Sequence, residues 1–356
     1  MLQKIKNIFH FLEAVAANIV YQFPSRKLTV IGVTGTDGKT TTATLIHHIL
    51  TIAGYKAGIL STLSSAHTTT PGRFAVQKFL RRSVDNGCTH VVLEVTSIAI
   101  DQYRIWGTNF SIGVLTNIAN NEHLDYHHTF ENYKNIKLRF LATCQQKVIG
   151  PDLKKSDFKE ILANSLLPGE FNDRNVMAAA QVARLLDINE ATIIKAISSF
   201  QLPSGRLEIV SRRPLVIVDF AHTPQAFKAV LPVAKKMGKR LIHVFGATGN
   251  RDHSKRPIMA QIAARVDDYI FLTHEDTYNE DPKKIISEIE QGLIKDGYKT
   301  YEIVYDRKIA INKAIEMAKS GDVVILTGVG HQKSLNIGGH EISWSDQKAV
   351  YDALGK

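Results

Sequence analysis

Short apolar runs alternate with amphipathic segments along most of this chain. Runs without polar alternation are typical of parallel strands that are covered on both faces, and they occupy residues 28–33, 90–95 and 112–118. Apolar residues at helical spacing predict helices, which occupy residues 40–53, 74–86, 130–145 and 172–186. Alternating strands and helices of this kind predict a doubly wound α/β domain.

A second block of the same pattern begins near residue 203, after a segment at 150–169 that holds two prolines and is predicted to be irregular. Its predicted strands are residues 215–220, 240–245, 269–273, 301–304 and 323–327. Its predicted helices are residues 224–237, 256–264, 282–293 and 308–319. The pattern therefore predicts an N-terminal helix at 1–27, a first α/β domain at 28–203 and a second at 204–356.

The first residues form an apolar segment that is mildly basic at its start. Apolar residues at positions 8, 12, 15 and 19 follow helical spacing, whereas His10 and Glu13 interrupt a run that is too short to span a bilayer. We therefore predict an amphipathic helix packed on the first domain, with a helix lying on a membrane as the alternative. A cytoplasmic protein without an integral membrane span is expected.

Composition narrows the class of protein. Of 356 residues, 44% are hydrophobic and 22% are charged, as in an ordinary globular protein, so wholesale disorder is excluded. The two cysteines, Cys88 and Cys144, are too few for a disulfide framework or a cysteine zinc cluster. Lys and Arg number 44 against 34 Asp and Glu, and this net charge of +10 fits nucleic acid, a membrane surface or small anionic substrates.

The strongest chemical motif is a glycine-rich turn between the first predicted strand and helix, with the sequence Gly-Thr-Asp-Gly-Lys-Thr at residues 35–40. Backbone N–H groups at a helix N-terminus attract anions, so this turn is a candidate phosphate loop. Lys39 would reach the β- and γ-phosphates of a nucleotide, and the Thr40 hydroxyl would ligate Mg²⁺. The general pattern requires a further glycine where this chain has Val33, so the alternative is an ordinary glycine-rich turn.

The longer form of this motif, Gly-Thr-Asp-Gly-Lys-Thr-Thr-Thr, resembles the ATP-dependent Mur ligases and their relatives, the folylpolyglutamate and cyanophycin synthetases. Further matching motifs follow in family order over nearly the whole chain, with most likeness to the MurE-type branch. In the first block they lie at residues 69–71, 93–97, 115–117, 123–127, 131–137 and 171–175. In the second block they lie at residues 205–208, 219–224, 249–257, 280–282 and 328–331.

This resemblance implies an α/β fold in which a central ATPase domain with a phosphate loop precedes a Rossmann-like C-terminal domain. It also implies a ligase that uses ATP to activate a carboxylate as an acyl phosphate and joins it to an amino acid, as in peptidoglycan precursor synthesis. The acceptor would be of the UDP-MurNAc-L-Ala-D-Glu type. Such chemistry depends on positioning and on neutralising phosphate charge, so ATP and two Mg²⁺ ions are the expected ligands.

The resemblance implies four metal ligands, namely Thr40, Glu94, His123 and Lys137. Glu94 ends a predicted strand, where α/β proteins place ligands, and its carboxylate suits a hard cation. His123 is a less usual Mg²⁺ ligand, so its assignment depends on the resemblance. Lys137 matches the position at which the family carries a carbamylated lysine. The alternative is an ordinary surface lysine, which is what we expect of Lys134.

Nucleotide-binding residues are implied in both blocks. Asn172 and Asn175 lie three apart at a predicted helix start and match the adenine side of the site, with N-capping by Asn172 as the alternative. Arg206 is implied at the phosphates and Asp219 at the ribose, so closure of the two domains would complete the site. The implied ATP-binding set is Gly35, Thr36, Asp37, Gly38, Lys39, Thr40, Thr41, Asn172, Asn175, Arg206 and Asp219. The implied catalytic set is Lys39, His123, Lys137 and Arg206.

Further residues are implied to bind the acid or the amino acid, namely Thr69, Thr70, Thr96, Arg104, Arg251, Glu275, Asp276 and His331. The Arg104 guanidinium suits an acidic peptide, and a plain surface arginine is the alternative. Diaminopimelate-adding enzymes carry Asp-Asn-Pro-Arg where this chain has Glu-Asp-Thr-Tyr, so Tyr278 replaces the arginine that would bind a second carboxylate. Glu275 or Asp276 is the candidate for holding a lysine amine instead.

Three departures from the family pattern bear on the substrate. The phosphate loop begins at Gly35, which leaves no room before it for the uridine-binding domain of a full-length MurE-type enzyme. The family's Gly-Lys-Gly-His-Glu is Gly-Val-Gly-His-Gln at 328–332, which removes a charge expected at the distal amine. Near the substrate and metals, the family's Arg-Asp is Asn-Glu at 121–122 and its Ser-Ser-His is Thr-Ser-Ile at 96–98.

Other functions fit parts of this pattern. A ligase of the same chemistry acting on a folate or an amino-acid polymer fits the missing uridine domain, whereas the motifs at 69–71, 123–127 and 219–224 favour a muramyl substrate. A non-catalytic subunit would bind ATP without ligating anything. A nucleic-acid partner is not expected, because no basic run is interleaved with aromatic residues. The positive charge therefore indicates small anionic substrates, and a monomer is favoured.

Overall fold

The structure of the protein, a computed structural model, describes residues 2–64, 68–119 and 124–355. The chain folds as two compact units, Met1–Gln201 and Leu202–Lys356. Each unit has its own sheet of mainly parallel strands, with helices between the strands along the chain. The predicted α/β class is therefore confirmed. Among the described residues, no helix combines the length and the apolar character that crossing a bilayer requires.

Five parallel strands form the sheet of the first unit. They are β1 (Thr29–Thr34), β2 (Ala57–Leu60), β3 (His90–Glu94), β4 (Ile112–Leu115) and β5 (Gln146–Ile149). Their order is β2-β3-β1-β4-β5, so the three strands with almost only buried residues are the central ones. Apolar patterning predicted these three and missed β2 and β5, the partly exposed strands at the two edges of the sheet.

Nine helices are described in the first unit. They are α1 (Leu2–Val20), α2 (Lys39–Ile52), α3 (Arg73–Asp85), α4 (Ser97–Asp101), α5 (Leu124–His127), α6 (Phe130–Ala142), α7 (Lys159–Ala163), α8 (Glu170–Leu185) and α9 (Glu190–Ser199). The predicted helices correspond to α2, α3, α6 and α8. The prediction of an irregular segment at 150–169 is wrong in part, because this segment contains α7 and short 3-10 helices at Gly150–Asp152 and Lys155–Phe158.

The N-terminal helix α1 packs on the first unit, but not through the face that periodicity predicted. From Asn7 onward, where the side chains of this helix are described, its buried positions are Ala14, Ala17 and Asn18. Three of the four predicted packing positions are exposed instead, namely Ile8, Leu12 and Ile19. Small side chains allow a close approach between α1 and α3, so the large apolar residues did not identify the packed face.

The carboxyl ends of the central strands create the edge at which a ligand would bind. Val33 of β1 pairs with Glu94 of β3, and Thr34 of β1 pairs with Leu115 of β4. The loops after these strands therefore start side by side. In α/β proteins this is the edge where ligands bind.

Six strands form the main sheet of the second unit. They are β6 (Glu208–Arg212), β7 (Leu215–Val218), β8 (Leu241–Phe245), β9 (Tyr269–Leu272), β10 (Tyr301–Ile303) and β11 (Val323–Leu326). The order is β10-β9-β8-β11-β7-β6, in which β6 pairs antiparallel with β7 and the other neighbours are parallel. A separate hairpin consists of β12 (Ser334–Ile337) and β13 (His340–Ser343).

The helices of the second unit are α10 (Pro224–Lys235), α11 (Lys255–Ala264), α12 (Pro282–Lys295), α13 (Arg307–Met317) and α14 (Asp346–Ala353). Patterning predicted β7 to β11 and α10 to α13. It missed β6, α14 and the hairpin, whose second strand is exposed throughout and lacks an apolar run.

Candidate active site

A tight loop at residues 35–38 joins β1 to α2 at the carboxyl edge of the first sheet. Gly35 and Gly38 have φ values of +152° and +79°, which other residues rarely adopt. A Cβ atom on Gly38 would lie 2.3 Å from Asn175 Oδ1, so only glycine allows this approach to α8. Gly38 is also the N-cap residue of the 14-residue helix α2. The arrangement of strand, loop and helix N-terminus suits a bound phosphate.

Side chains from the loop after β4 and from α6 hold the phosphate loop in place. The Asp37 N–H donates to Asn117 Oδ1 at 3.0 Å, and the Thr116 hydroxyl donates to the Asp37 carbonyl at 2.6 Å. Thr36 Oγ1 lies 2.9 Å from the Tyr133 hydroxyl. No role was predicted for these supporting residues, although Thr116, Asn117 and Tyr133 lie in motifs that match the family.

Lys39 opens α2 and folds back over the loop. Its ammonium group donates to the carbonyls of Gly35 at 3.1 Å and Thr36 at 2.7 Å. Thr40 and Thr41 follow in the first turn of α2 and are buried. The structure thus brings the predicted loop residues together at one helix N-terminus, with a cation beside them.

The Glu94 carboxylate is the centre of a cluster of oxygen atoms. Its Oε2 accepts hydrogen bonds from the hydroxyls of Thr40 at 3.1 Å and Thr62 at 3.0 Å, and its Oε1 accepts one from the Thr62 N–H at 3.0 Å. The Thr62 hydroxyl also lies 3.1 Å from that of Thr69. These oxygen donors fit Mg²⁺, which prefers hard ligands. Thr62 begins a 3-10 helix after β2, and no sequence motif identified it.

Lys137 is buried beside the phosphate loop and does not lie at the surface. Its side chain is 1% exposed, and its Nζ donates to the Gly35 carbonyl at 2.7 Å. The same Nζ lies 4.7 Å from the centre of the Tyr133 ring. Lys134, one turn earlier, is half-buried. The surface-lysine alternative for Lys137 is therefore wrong, while its carbamylation stays a prediction.

Asn172 and Asn175 approach the phosphate loop from α8. Asn175 Oδ1 accepts from the Thr42 hydroxyl at 3.2 Å, and the Asn175 amide donates to Asn172 Oδ1 at 3.1 Å. The Asn172 amide donates to the Pro168 carbonyl, and the N-cap residue of α8 is Gly169. N-capping by Asn172 is therefore wrong. The role of the pair in adenine binding stays a prediction.

Three of the residues expected to bind the acid lie next to Glu94. The Thr70 hydroxyl donates to the Glu94 carbonyl at 2.8 Å and accepts from the Thr96 N–H at 3.1 Å. Thr96 Oγ1 caps α4 by accepting from the Ala99 N–H. The half-buried Arg104 guanidinium donates to the Thr70 carbonyl at 2.7 Å, and burial lowers the pKa of Arg104. These internal bonds fix the residues in one cluster, and their contact with substrate stays a prediction.

Residues 65–67 and 120–123 lie outside the described part of the chain. The second of these stretches contains His123 and the departure at 121–122, so the metal-binding role of His123 stays a prediction. The nearby His127 is described, and its Nε2 lies 2.9 Å from the Ser97 hydroxyl.

In the second unit, Asp219 follows β7 and shapes the turn that carries Arg206. Asp219 accepts from the N–H groups of Leu207 and Ala221, both at 2.7 Å. The Arg206 guanidinium lies 4.7 Å from the centre of the Phe220 ring, within the range of a cation–π contact. The two residues are therefore neighbours within this unit, and their contact with ATP stays a prediction.

The loop after β9 carries two buried carboxylates. Glu275 lies so close to Gly328 that a Cβ atom on the glycine would come within 1.9 Å of Glu275 Oε1. The Thr248 hydroxyl donates to Glu275 Oε2 at 3.2 Å, and burial raises the pKa of Glu275 to about 7. Asp276 Oδ1 accepts from the Asn336 N–H at 2.8 Å, which ties the loop to β12. Both carboxylates thus contribute to the packing of neighbouring loops.

The other polar groups near this loop are Tyr278, Arg251 and His331. Tyr278 has a φ of +48°, and burial raises the pKa of its hydroxyl although a hydrogen bond with Arg251 acts in the opposite direction. Arg251 is exposed. The His331 ring lies edge-on to Phe220 with 5.0 Å between ring centres. Arg251 in the loop after β8 and Tyr278 in the loop after β9 therefore lie close together, in the region where substrate contact was expected.

Two of the matching motifs meet in an ion pair. The fully buried Arg256 guanidinium donates to Glu280 at 2.8 Å and to Glu288 at 2.7 Å. Hydrogen bonds from Arg256 lower the pKa of Glu280 to about 2. His253 lies beside the two carboxylates, and the guanidinium, which donates to both, compensates one of their two negative charges. We conclude that these motif residues join α11 to α12 and have a structural role.

Comparison with known proteins identifies the family. Residues 33–152 match the Mur ligase middle domain, and residues 205–330 match the domain described as Mur ligase, glutamate ligase domain. Over 99% of its length, the chain is 35% identical to the UDP-N-acetylmuramoyl-L-alanyl-D-glutamate–2,6-diaminopimelate ligase of Cytophaga hutchinsonii, of which it covers 83%. The chain belongs to the Mur ligase family.

Other Mur ligases agree with this assignment. The UDP-N-acetylmuramyl-tripeptide synthetase of Borreliella burgdorferi is 34% identical over 95% of this chain and 78% of that protein. A solved structure of a UDP-N-acetylmuramoyl-L-alanyl-D-glutamate–2,6-diaminopimelate ligase superposes with a TM-score of 0.58, 26% identity, and coverage of 92% of this chain and 78% of that one. The resemblance to Mur ligases and the prediction of an ATP-dependent ligase are confirmed.

The fold is shared with ligases of another kind. A folylpolyglutamate synthase of Mycobacterium tuberculosis, solved with ADP and AMPPCP, has a TM-score of 0.70 and covers 97% of this chain and 95% of its own. Its identity to this Mur ligase is 14%, so the likeness concerns the fold alone.

Proposed function

We propose that this Mur ligase uses ATP to activate the carboxylate of a UDP-MurNAc-L-Ala-D-Glu-type acceptor and joins it to the amino group of an amino acid. The carboxylate oxygen would attack the γ-phosphorus of ATP, and ADP would leave. The amine would then attack the acyl carbon and displace phosphate, with its proton passing to solvent. Relatives at 35% and 34% identity carry names that describe ligation to this acceptor or synthesis of the muramyl tripeptide.

The observation that carries the proposal is the cluster at the carboxyl edge of the first sheet. Lys39 and Lys137 donate to carbonyls of the phosphate loop, while the Thr40 hydroxyl at the loop's end lies 3.1 Å from the Glu94 carboxylate. Phosphoryl transfer requires little covalent chemistry from the protein and depends on positioned cations and metal ligands. This cluster supplies both within one unit.

Divalent metal is part of the proposal because the cluster offers oxygen donors. Bound Mg²⁺ would neutralise charge on the phosphate oxygens. Thr40 and Glu94 would hold one ion, and His123 and a carbamylated Lys137 would hold a second. Carbamylation replaces the lysine ammonium by a carboxylate-like group, which turns a cation into an oxygen ligand suited to Mg²⁺.

Each substrate is assigned a region of the chain. The phosphate loop, Asn172 and Asn175 would bind ATP from the first unit, and Arg206 and Asp219 would bind its phosphates and ribose from the second. The acceptor would contact the cluster of Thr69, Thr70, Thr96 and Arg104. The half-buried Arg104 supports this assignment, because a guanidinium held by a fixed hydrogen bond is suited to pair with a carboxylate.

The amino acid would bind at the loops of the second unit that carry Arg251, Glu275, Asp276 and His331. Tyr278 stands where the diaminopimelate-adding motif has an arginine, and a neutral phenol does not pair with a second carboxylate. We therefore propose that the incoming amino acid ends in a group other than a carboxylate, as L-lysine does. The name of a relative at 35% identity specifies diaminopimelate instead. A comparison of L-lysine with diaminopimelate as substrates therefore tests this proposal directly.

The test is phosphate release from ATP and Mg²⁺ with UDP-MurNAc-L-Ala-D-Glu and a panel of amino acids. Release that requires both the acceptor and an amino acid is expected, with L-lysine favoured over meso-diaminopimelate. Folate and a short amino-acid polymer serve as competing acids. Release with either of these and none with the muramyl acceptor would overturn the proposed acceptor. If none of these acids supports phosphate release, a non-catalytic ATP-binding role would be favoured.

A further inference from the structure

One face of α1 is apolar and uncovered by the first unit. Its large side chains that are more than half exposed are Ile8 at 62%, Phe9 at 62%, Leu12 at 58%, Ile19 at 61% and Val20 at 62%. Together with the exposed Ala16, they recur at three- and four-residue spacing, so they form one stripe along the helix. We call these six residues the apolar stripe. Scattered exposed apolar residues are normal, whereas a contiguous patch marks an interaction site.

The opposite face of α1 is firmly attached. The Asn18 amide donates to the Trp106 carbonyl at 2.8 Å, and Glu13 pairs with Arg73 at 2.9 Å. The Phe11 ring lies edge-on to that of Trp106, with 5.0 Å between centres. These contacts fix the rotation of the helix about its axis. The apolar stripe is therefore held outward.

Most of the surplus positive charge of the chain lies in its first 82 residues, which include α1. Residues 1–82 hold ten Lys and Arg against two acidic residues, Glu13 and Asp37, and so account for eight of the ten surplus positive charges. The sole acidic residue of α1, Glu13, is neutralised by Arg73. The 3-10 helix Pro24–Lys27 follows α1, and α3 packs against both. Exposed basic residues on these two elements are Arg26, Lys27, Lys78 and Arg82.

Charge decides which partner fits the apolar stripe. A second copy of the chain would bring two positive surfaces together, which costs energy through repulsion. An anionic bilayer offers both complements, since its headgroups attract lysine and arginine and its acyl region accepts apolar side chains. We propose that α1 lies in the surface of an anionic lipid bilayer, with the apolar stripe at the boundary between headgroups and acyl chains. This binding would be peripheral and reversible, and it does not depend on the ligase reaction.

The test is co-sedimentation of the full chain with vesicles of phosphatidylcholine alone or mixed with phosphatidylglycerol. We expect the chain to bind the mixed vesicles and to bind the neutral vesicles more weakly. Binding to the mixed vesicles should fall as the salt concentration rises, because salt screens the attraction between basic side chains and anionic headgroups. Leu12→Glu and Ile19→Glu should each reduce binding at least about tenfold, since each places a charge in the acyl boundary. Lys78→Ala and Arg82→Ala should each reduce it about fivefold.

A matched control is Ile294→Glu, because Ile294 is 61% exposed on a helix of the second unit, far along the chain from the apolar stripe. It should bind mixed vesicles as the unmodified chain does. All variants change exposed side chains, and circular dichroism with a melting curve checks that they fold. The proposal is overturned if mixed vesicles do not bind the chain, or if Leu12→Glu binds as well as Ile294→Glu. It is also overturned if size-exclusion chromatography shows a dimer that Leu12→Glu dissociates, because a second copy would then cover the stripe.

Discussion

Two substitutions of Lys137, to alanine and to methionine, distinguish its contribution to stability from its role in the ligase reaction. Lys137→Ala truncates a side chain that is 1% exposed, and truncation of long buried side chains costs about 2–5 kcal/mol. The Gly35 carbonyl keeps a donor because Lys39 also reaches it at 3.1 Å, so no further cost for an unpaired carbonyl is added. At about 2–4 °C per kcal/mol for a domain of this size, the melting temperature should fall by roughly 4–20 °C.

Lys137→Met fills the same space without a nitrogen atom. Volume-conserving changes in a core cost less than about 1.5 kcal/mol, and replacing a buried charge by an apolar group can even stabilise. We therefore expect near-normal stability together with the loss of ligase activity. Lys134→Ala is the control, because this half-buried neighbour should tolerate truncation with little change in either property.

Chemical rescue tests the carbamate itself. Formate, acetate or propionate should partly restore phosphate release to Lys137→Ala, where space is open, and not to Lys137→Met, where the methionine occupies it. The assay is acceptor-dependent phosphate release with and without each acid, accompanied by circular dichroism. Wild-type activity in Lys137→Met would refute the catalytic role of Lys137. Failure of every acid to rescue Lys137→Ala, in a folded variant, would refute carbamylation.

Three other predictions concern the phosphate loop and the second unit. Lys39→Ala should lower phosphate release at least about 100-fold, since hydrogen bonds to charged groups are worth about 1.5–3 kcal/mol each; near-normal release would contradict the assigned loop. Glu275 keeps its proton more strongly when folded, so its contribution to stability is full below about pH 4.5 and is lost as pH rises towards its folded pKa of about 7. The free energy of unfolding of Glu275→Gln, measured with urea, should therefore rise relative to that of wild type by up to about 3 kcal/mol between pH 5 and pH 8. A difference between the two proteins that does not change with pH would contradict this. Tyr278→Arg should shift the preference towards meso-diaminopimelate over L-lysine by about 10–100-fold in kcat/KM, and no shift would place the selection elsewhere.

The phosphate side of the site could be predicted from the sequence because it depends on residue type at fixed positions of one supersecondary unit. A strand, a glycine-rich turn and a helix in succession already define where Lys39 and Thr40 lie. Glu94 could be placed because it ends a predicted strand and matches a family motif, and the register of β3 with β1 then brings it to the same edge of the sheet. What the sequence could not provide was long-range packing. Thr62 reaches Glu94 from another loop, and nothing in its neighbourhood signals a ligand.

Periodicity also failed where small residues determine packing. In α1 the positions of large apolar residues predicted the buried face, yet Ala14 and Ala17 are the buried ones. Helices approach closely where side chains are small, so the hydrophobic pattern of α1 indicated its exposed surface instead. That reversal is what makes the apolar stripe a candidate for lipid contact.

Selection of the amino acid depends on loop packing in a way that residue type could not reveal. Glu275 and Asp276 were candidates to hold a lysine amine because both are acidic. In the folded unit Glu275 lies against Gly328 and Asp276 accepts the Asn336 N–H, so each carboxylate already serves a neighbouring loop. Among the described residues Glu275 Oε1 has no hydrogen-bond partner, but it is buried against Gly328, so an amine would have to enter the packed loops to reach it, whereas Arg251 is exposed and lies close to Tyr278. Selection is therefore expected to depend more on Arg251 and Tyr278 than on the two acids. By this argument, Tyr278→Arg should change the choice of amino acid more than Asp276→Asn does.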